Sequence, residues 1–376
     1  MTDTDHKLAK LLVNYSTKVR SGELVGIRYE PLASELALAV YKEVIRAGGQ
    51  PFFETAPEGA AEAFYELASD AQLKQINPLT LWSRQKADVL ISLFAPANTR
   101  ALSLVDPKRL ATASAARRPL SDIFMKRSAS GELRWVLTQI ATQALAQDAG
   151  MSLDQCQEFV SQAGRLDVDD PAIYWQAFDR WQQTVVDSLN AKRDQVHIKG
   201  PNIDLTLSVK GREWINCSGS HNFPDGEVFT GPLETSANGW LKLKFPAFYN
   251  DNEVVDARLE FKDGRVVKAT ASRGEAFLNA TLDTDPGART LGELGIGTNE
   301  GIARPVGSIL FDEKRVQTVH LAVGAGYPET GNTNQSSVHW DMIVDLDDGQ
   351  ITIDDEVVYK DGAFIIGNPK LKPSIN

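Results

Sequence analysis

Thiols are nearly missing from this sequence. Only Cys156 and Cys217 occur in 376 residues, far apart in the chain. Neither a disulfide framework nor a paired-cysteine metal knuckle can be built from them. Long apolar runs are missing too, and with them any span of about 18 residues that could cross a membrane. The opening MTDTDHKLAKLLVNYSTKV lacks the basic start and apolar middle of a secretory signal. These absences set the expectation of a cytoplasmic protein with no membrane partner. Gly324-Ala325-Gly326 and Gly295-Ile296-Gly297 stop short of GxGxxG, which argues against a dinucleotide site. Basic charge is in deficit: 39 Lys and Arg face 50 Asp and Glu, for a net charge of −11. No basic stripe for nucleic acid is expected.

What is present describes a globular chain. Its length suggests two domains, and 42% apolar residues supply cores for both. The first half alternates strand and helix patterns. Glu23–Tyr29, Pro51–Phe53, Ala87–Phe94 and Leu133–Ile140 read as strands. Pro31–Ala47 reads as a helix with Leu32, Leu36, Val40 and Val44 on one face, ended by Gly48-Gly49. A further helix carries Arg109, Arg117 and Arg118. From Asp170 and Pro171 a long helix with a stripe of Tyr174, Phe178, Trp181, Val185 and Leu189 closes the half. Later segments are short, alternating and punctuated by turns: Ile203–Val209, Glu253–Phe261 and Arg265–Ser272, with Asp263-Gly264 as a hairpin signal. The expected fold class is an α/β N-terminal domain with a mostly parallel sheet, residues 1–190. An α+β, largely antiparallel C-terminal domain follows, residues 191–376.

The chemistry collects in the second half. It holds four of the five histidines: His197, His221, His320 and His339. His320 lies in the apolar run TVHLAVG. His339 and Asp341 lie in VHWDMI and, two apart on a strand, project to one face. Such a pair can share a metal or form a plain ion pair, and periodicity leaves both open. Glu227 follows Pro224-Asp225-Gly226, and Glu313 sits in FDEK. Glu293, in LGELGIG, is the only charge of an apolar, glycine-rich segment. Two histidines with several carboxylates suit divalent ions such as Zn, Mn or Co, with no thiolate required.

These segments also carry a resemblance. NFPDGEVFT from Asn222, TDPGARTLGE from Thr284, FDEK from Phe311, TVHLAVG from Thr318 with Tyr327-Pro328, and HWD from His339 follow one another in order. Together they resemble the signature blocks of the thermophilic-type metalloaminopeptidases, the family of aminopeptidase T, aminopeptidase S and PepS. The first half is similar in pattern only. The resemblance implies release of N-terminal amino acids from peptides with a free N-terminus through a dinuclear metal-bound hydroxide. It implies two divalent metal ions per chain (Zn, Co or Mn), a C-terminal domain that carries them, and a homodimer. Glu227, Glu293, Glu313, His320, His339 and Asp341 are the implied ligands, with Glu293 bridging. Glu293 and Tyr327 are the implied catalytic residues, Tyr327 steadying the oxyanion. The segment between Tyr327 and His339 is shorter than in some relatives, so substrate preference does not carry over.

Three other readings compete. A dimetal phosphoesterase would need basic groups near these blocks, where only Arg289, Lys314 and Arg315 occur. Cys217 and His221 are close in sequence, but Cys217 closely follows apolar Trp214-Ile215, and a packed thiol is the better reading. A non-catalytic metal-binding protein would ordinarily use a closed, cysteine-rich site.

Overall fold

The computed structural model describes residues 1–191, 193–249 and 252–373. The chain divides into two units, residues 1–172 with 219–223 and residues 173–218 with 224–376.

In the first unit, the strand Val89–Phe94 buries Val89, Ile91 and Leu93, and Leu90 on its other face. Burial on both faces is what its unbroken apolar run requires, and it places the strand inside a parallel sheet. The sheet order is Gln50–Glu54, Leu24–Tyr29, Val89–Phe94, Arg134–Gln139 and Asn222–Phe223, every pair parallel. The last strand arrives from late in the chain. Two residues are too few to show a period, so the sequence pattern did not reveal it. The helix Ser34–Arg46 buries Leu36, Val40 and Val44 as expected. Leu32 does not join them. It falls in the 3₁₀ turn Pro31–Ala33, whose tighter winding rotates it off the stripe, and it is 53% exposed. Arg109, Arg117 and Arg118 lie on the helix Pro107–Ala129.

The helix Pro171–Leu189 begins where Asp170 Oδ1 accepts the Ala172 N–H at 3.0 Å. Phe178, Trp181, Val185 and Leu189 are buried; Tyr174 is half-buried and Trp175 takes its place in the core.

Antiparallel β-structure dominates the second unit. An eight-stranded sheet runs Arg265–Thr270, Arg258–Lys262, Asn238–Lys242, Ile203–Ser208, Gln195–Gly200, Gln350–Ile353, Glu356–Lys360, Ala363–Phe364. Asp263 and Gly264, at φ 48° and 81°, make the left-handed two-residue turn of its first hairpin. The single strand expected over Glu253–Phe261 is two, Asn252–Val254 and Arg258–Lys262. Asp256, at φ 53°, turns the chain between them. A second sheet of five strands is ordered His339–Asp345, Thr318–Gly324, Leu291–Gly297, Glu227–Thr230, Ile215–Cys217, with every pair antiparallel. Below, the first four are named by a site residue each: the His339, His320, Glu293 and Glu227 strands. A parallel sheet followed by a larger antiparallel array agrees with the expected fold class.

Candidate metal centre

Strand register decides which side chains meet. Residues directly opposite on neighbouring strands point to the same face. Asp341 is opposite Ala322, which is opposite Glu293; His320 is opposite Gly295; Gly297 is opposite Glu227. Period two adds His339 beside Asp341 on the same face. The small residues Gly295, Gly297 and Ala322 thus floor a patch onto which ionisable side chains converge. At Gly295 the need is absolute, because a Cβ there would lie 2.0 Å from Nε2 of His320. Glu313 joins from outside the sheet, directly after the short helix Ile309–Asp312.

The six side chains form two triads. In one, Glu227, Glu313 and His320 each offer a ligand atom within 4.8 Å of the others; in the other, Glu293, His339 and Asp341 do the same. Glu293 faces both triads. Its Oε1 is 3.6 Å from His320 Nε2 and its Oε2 is 3.3 Å from His339 Nε2. His339 Nε2 is also 3.7 Å from Asp341 Oδ1, and His320 Nε2 is 3.3 Å from Glu227 Oε2. Tyr327 packs edge-on against His339 with ring centroids 5.1 Å apart, and against Phe229 at 5.4 Å.

Burial and crowding move these groups far from their ordinary acidities. Burial drives Glu227 up, with Lys314 opposing. Burial would raise Glu293 as well, but His320 and His339 on either side outweigh it and hold that carboxyl down. Burial also pushes Asp341 up against the pull of His339. The imidazoles answer in kind. Burial would lower them, but Glu293 with Glu227 raises His320 to about 9, and Glu293 with Asp341 raises His339 to about 10. Tyr327 is held protonated by burial and by the surrounding carboxylates.

A second layer of contacts fixes the set. Ala325 O lies 2.8 Å from His339 Nδ1 and accepts its N–H, which turns Nε2 towards Glu293. Gln182, fully buried on the Pro171–Leu189 helix, donates to the carbonyls of Cys217 and Glu227, each at 2.8 Å, and accepts from Thr298 Oγ1 at 2.5 Å. It pins the start of the Glu227 strand. Trp340, on the opposite face, is buried and stacks on Tyr249 at 5.1 Å.

One participant escaped the sequence reading. Lys314 is 1% exposed and its Nζ sits 2.5 Å from Glu227, 2.8 Å from Glu313 and 3.7 Å from Asp225. The run FDEK looks like a solvated helix end. Only its place beside apolar Ile309-Leu310-Phe311 hinted otherwise. The remaining histidines lie elsewhere. His197 pairs with Asp204 at 2.8 Å, His221 packs on Trp135 at 4.9 Å, and His6 is on the helix Asp3–Lys10. Burial and the nearby Asp225 and Glu227 carboxylates raise the Cys217 thiol well above its usual value, the opposite of an activated nucleophile.

The donor set fits divalent ions. It offers imidazole nitrogen and carboxylate oxygen in two compact triads. Glu227 Oε2 is buried without a hydrogen bond, although His320 Nε2 stands near it. A buried carboxylate oxygen left so is costly unless a cation completes it.

The chain is similar to known proteins over nearly its whole length. Residues 2–364 match the family model described as thermophilic metalloprotease (M29). Aminopeptidase 2 of Geobacillus stearothermophilus is 27% identical, over 95% of this chain and 94% of its own. Aminopeptidase T of Thermus thermophilus is 31% identical over 55% of each chain. The solved structure titled wild-type AmpT from Thermus thermophilus shares the fold with a TM-score of 0.85 at 21% identity, covering 96% of this chain and 99% of that one.

Proposed function

This chain belongs to the thermophilic metalloprotease family (M29), and from that premise we propose that it is a metalloaminopeptidase removing N-terminal residues from peptides at the six-residue centre. The observation that carries the reading is Glu293, set between two imidazoles at 3.6 and 3.3 Å and so facing both triads. One divalent ion would be held by Glu227, Glu313 and His320, a second by His339 and Asp341, with Glu293 shared. When bound, such a pair polarises a scissile carbonyl and supplies hydroxide near neutral pH.

The protein's own groups do the rest. Ala325 holds His339 in the tautomer that presents Nε2. Tyr327, kept protonated, can donate a hydrogen bond to the oxygen of the tetrahedral intermediate. A carboxylate of the set carries a proton to the leaving amine. Lys314 neutralises part of the charge that six clustered ligands would otherwise build up. The homodimer, the cytoplasmic setting and a catalytic domain spanning residues 191–376 belong to the same proposal. Among the described residues, no helix is long and apolar enough to cross a membrane.

The phosphoesterase alternative is weaker for a physical reason. The three basic residues in or beside these sequence blocks are engaged by carboxylates: Lys314 by Glu227 and Glu313, Arg315 by Asp345 at 3.0 Å, and Arg289 by Asp283 at 2.7 Å. The test is hydrolysis of leucine p-nitroanilide against p-nitrophenyl phosphate, before chelation, after it, and after adding back Zn, Mn or Co. Metal-dependent cleavage of the anilide alone is expected. Cleavage of the phosphate ester alone, or anilide cleavage that survives chelation, would refute the proposal.

A further inference from the structure

Beside the centre lies a pocket that the mechanism does not use. Its empty space together with the open solvent in front of it comes to about 530 Å³, and Asp341 forms part of its wall. Leu243, Phe245, Ala247, Phe248, Ile309 and Ile343 make most of the remainder. We infer that this pocket receives the side chain of the substrate's first residue and selects large apolar ones; the inference rests on the aminopeptidase reading above.

Continuity along one strand is the first argument. His339, Asp341 and Ile343 alternate onto the same face of the His339–Asp345 strand. Successive same-face residues are roughly 6–7 Å apart at the rise of a strand. Ile343 is therefore one side-chain length beyond Asp341. A peptide whose first amine and carbonyl are held at the centre has its first side chain within that reach.

Two further ionic residues line the pocket, and both have partners inside the protein. Asp312 accepts the N–H groups of Val306 and Gly307, each at 2.8 Å. Arg315 is engaged by Asp345 at 3.0 Å. Away from Asp341, both charged wall residues already have partners in the protein, so a charged substrate side chain would lose water for little in return. Phe248 and Ile309 are 41% and 48% exposed at the rim. Apolar side chains left open beside a reaction centre are explained if a substrate covers them.

The test compares the metal-loaded protein on leucine, phenylalanine, alanine and glutamate p-nitroanilides. Apolar pockets discriminate by about tenfold or more per methylene. kcat/KM for leucine and phenylalanine should exceed that for alanine and glutamate at least tenfold. Ile309→Glu, at an exposed position that tolerates the change, should lower the leucine-to-alanine ratio at least tenfold. Calorimetry should show the same variant losing affinity for free L-leucine relative to L-alanine. A wild-type preference for alanine or glutamate would overturn the inference. So would a ratio that Ile309→Glu leaves unchanged while both substrates fall together. Failure to cleave any anilide has a different signature: it would refute the aminopeptidase reading itself, and the pocket's role with it.

Discussion

Glu293 sits where two demands meet. It is buried, yet two imidazoles hold its carboxyl ionised. Replacing it with Gln removes the charge at nearly constant shape. We expect Glu293→Gln to lower kcat/KM by about 10²-fold or more and to reduce bound metal, measured by mass spectrometry beside a circular dichroism check of the fold. Tyr327→Phe deletes a hydroxyl but no ligand. It should cost roughly 10²–10³-fold in kcat, as loss of one oxyanion donor does elsewhere, with metal content intact. Metal loss in that variant would instead make Tyr327 part of the ligand set. Lys314→Met leaves the buried Glu227 and the half-buried Glu313 without the ammonium they share. In the metal-free protein that should cost about 3–5 kcal/mol of stability, read by denaturant titration. Strand periodicity alone put His339 and Asp341 on one face, and Glu293 stood out as the sole charge among apolar neighbours. Lys314 was not legible in this way. Its direction is set by the chain turning inward after Ile309–Asp312, a tertiary event that no local period records.

The element that matters most is the five-stranded sheet. Its register works only while Gly295 has no side chain. Gly295→Ala would drive a methyl group into the His320 ring. The protein should then retain its sheet but lose metal from the Glu227–Glu313–His320 triad, and metal analysis would see about half the wild-type content. Another element bears on acid stability. Glu234 accepts from the Thr333 N–H at 2.7 Å and from its hydroxyl at 2.9 Å, and pairs with Arg212 at 2.6 Å. Burial would raise its carboxyl, but these partners outweigh it and hold the pKa below the usual 4.5. A lowered folded-state pKa contributes stability above the unfolded value and loses it as pH falls through the folded one. Glu234→Gln should therefore be less stable than the wild type at pH 7, by roughly 1–3 kcal/mol. The difference should close as pH drops below about 4. A gap that persisted at low pH would mean that packing, not charge, is what Glu234 provides. Long elements were readable from sequence: the Val89–Phe94 run, the Pro171–Leu189 helix, the Asp263-Gly264 hairpin. Short or interrupted ones were not. Asn222–Phe223 has too few residues to show a period, and the left-handed Asp256 splits what alternation had joined.

For the whole molecule, the fold supplies a sheet face and the residues on it supply the chemistry. The proposed dimer is checked by sedimentation equilibrium, where about twice the 41.2 kDa chain mass is expected and a monomer at working concentration would remove it. The central claim is that six side chains in two triads hold two divalent ions. Metal binding should release protons from the raised imidazoles, so uptake should weaken as pH falls. The most direct measurement is the metal content per chain of chelator-stripped protein reloaded with Zn, Mn or Co, quantified by mass spectrometry alongside leucine p-nitroanilide turnover. Two ions per chain, with turnover returning as the sites fill, is expected. One ion or none at full activity would contradict the account.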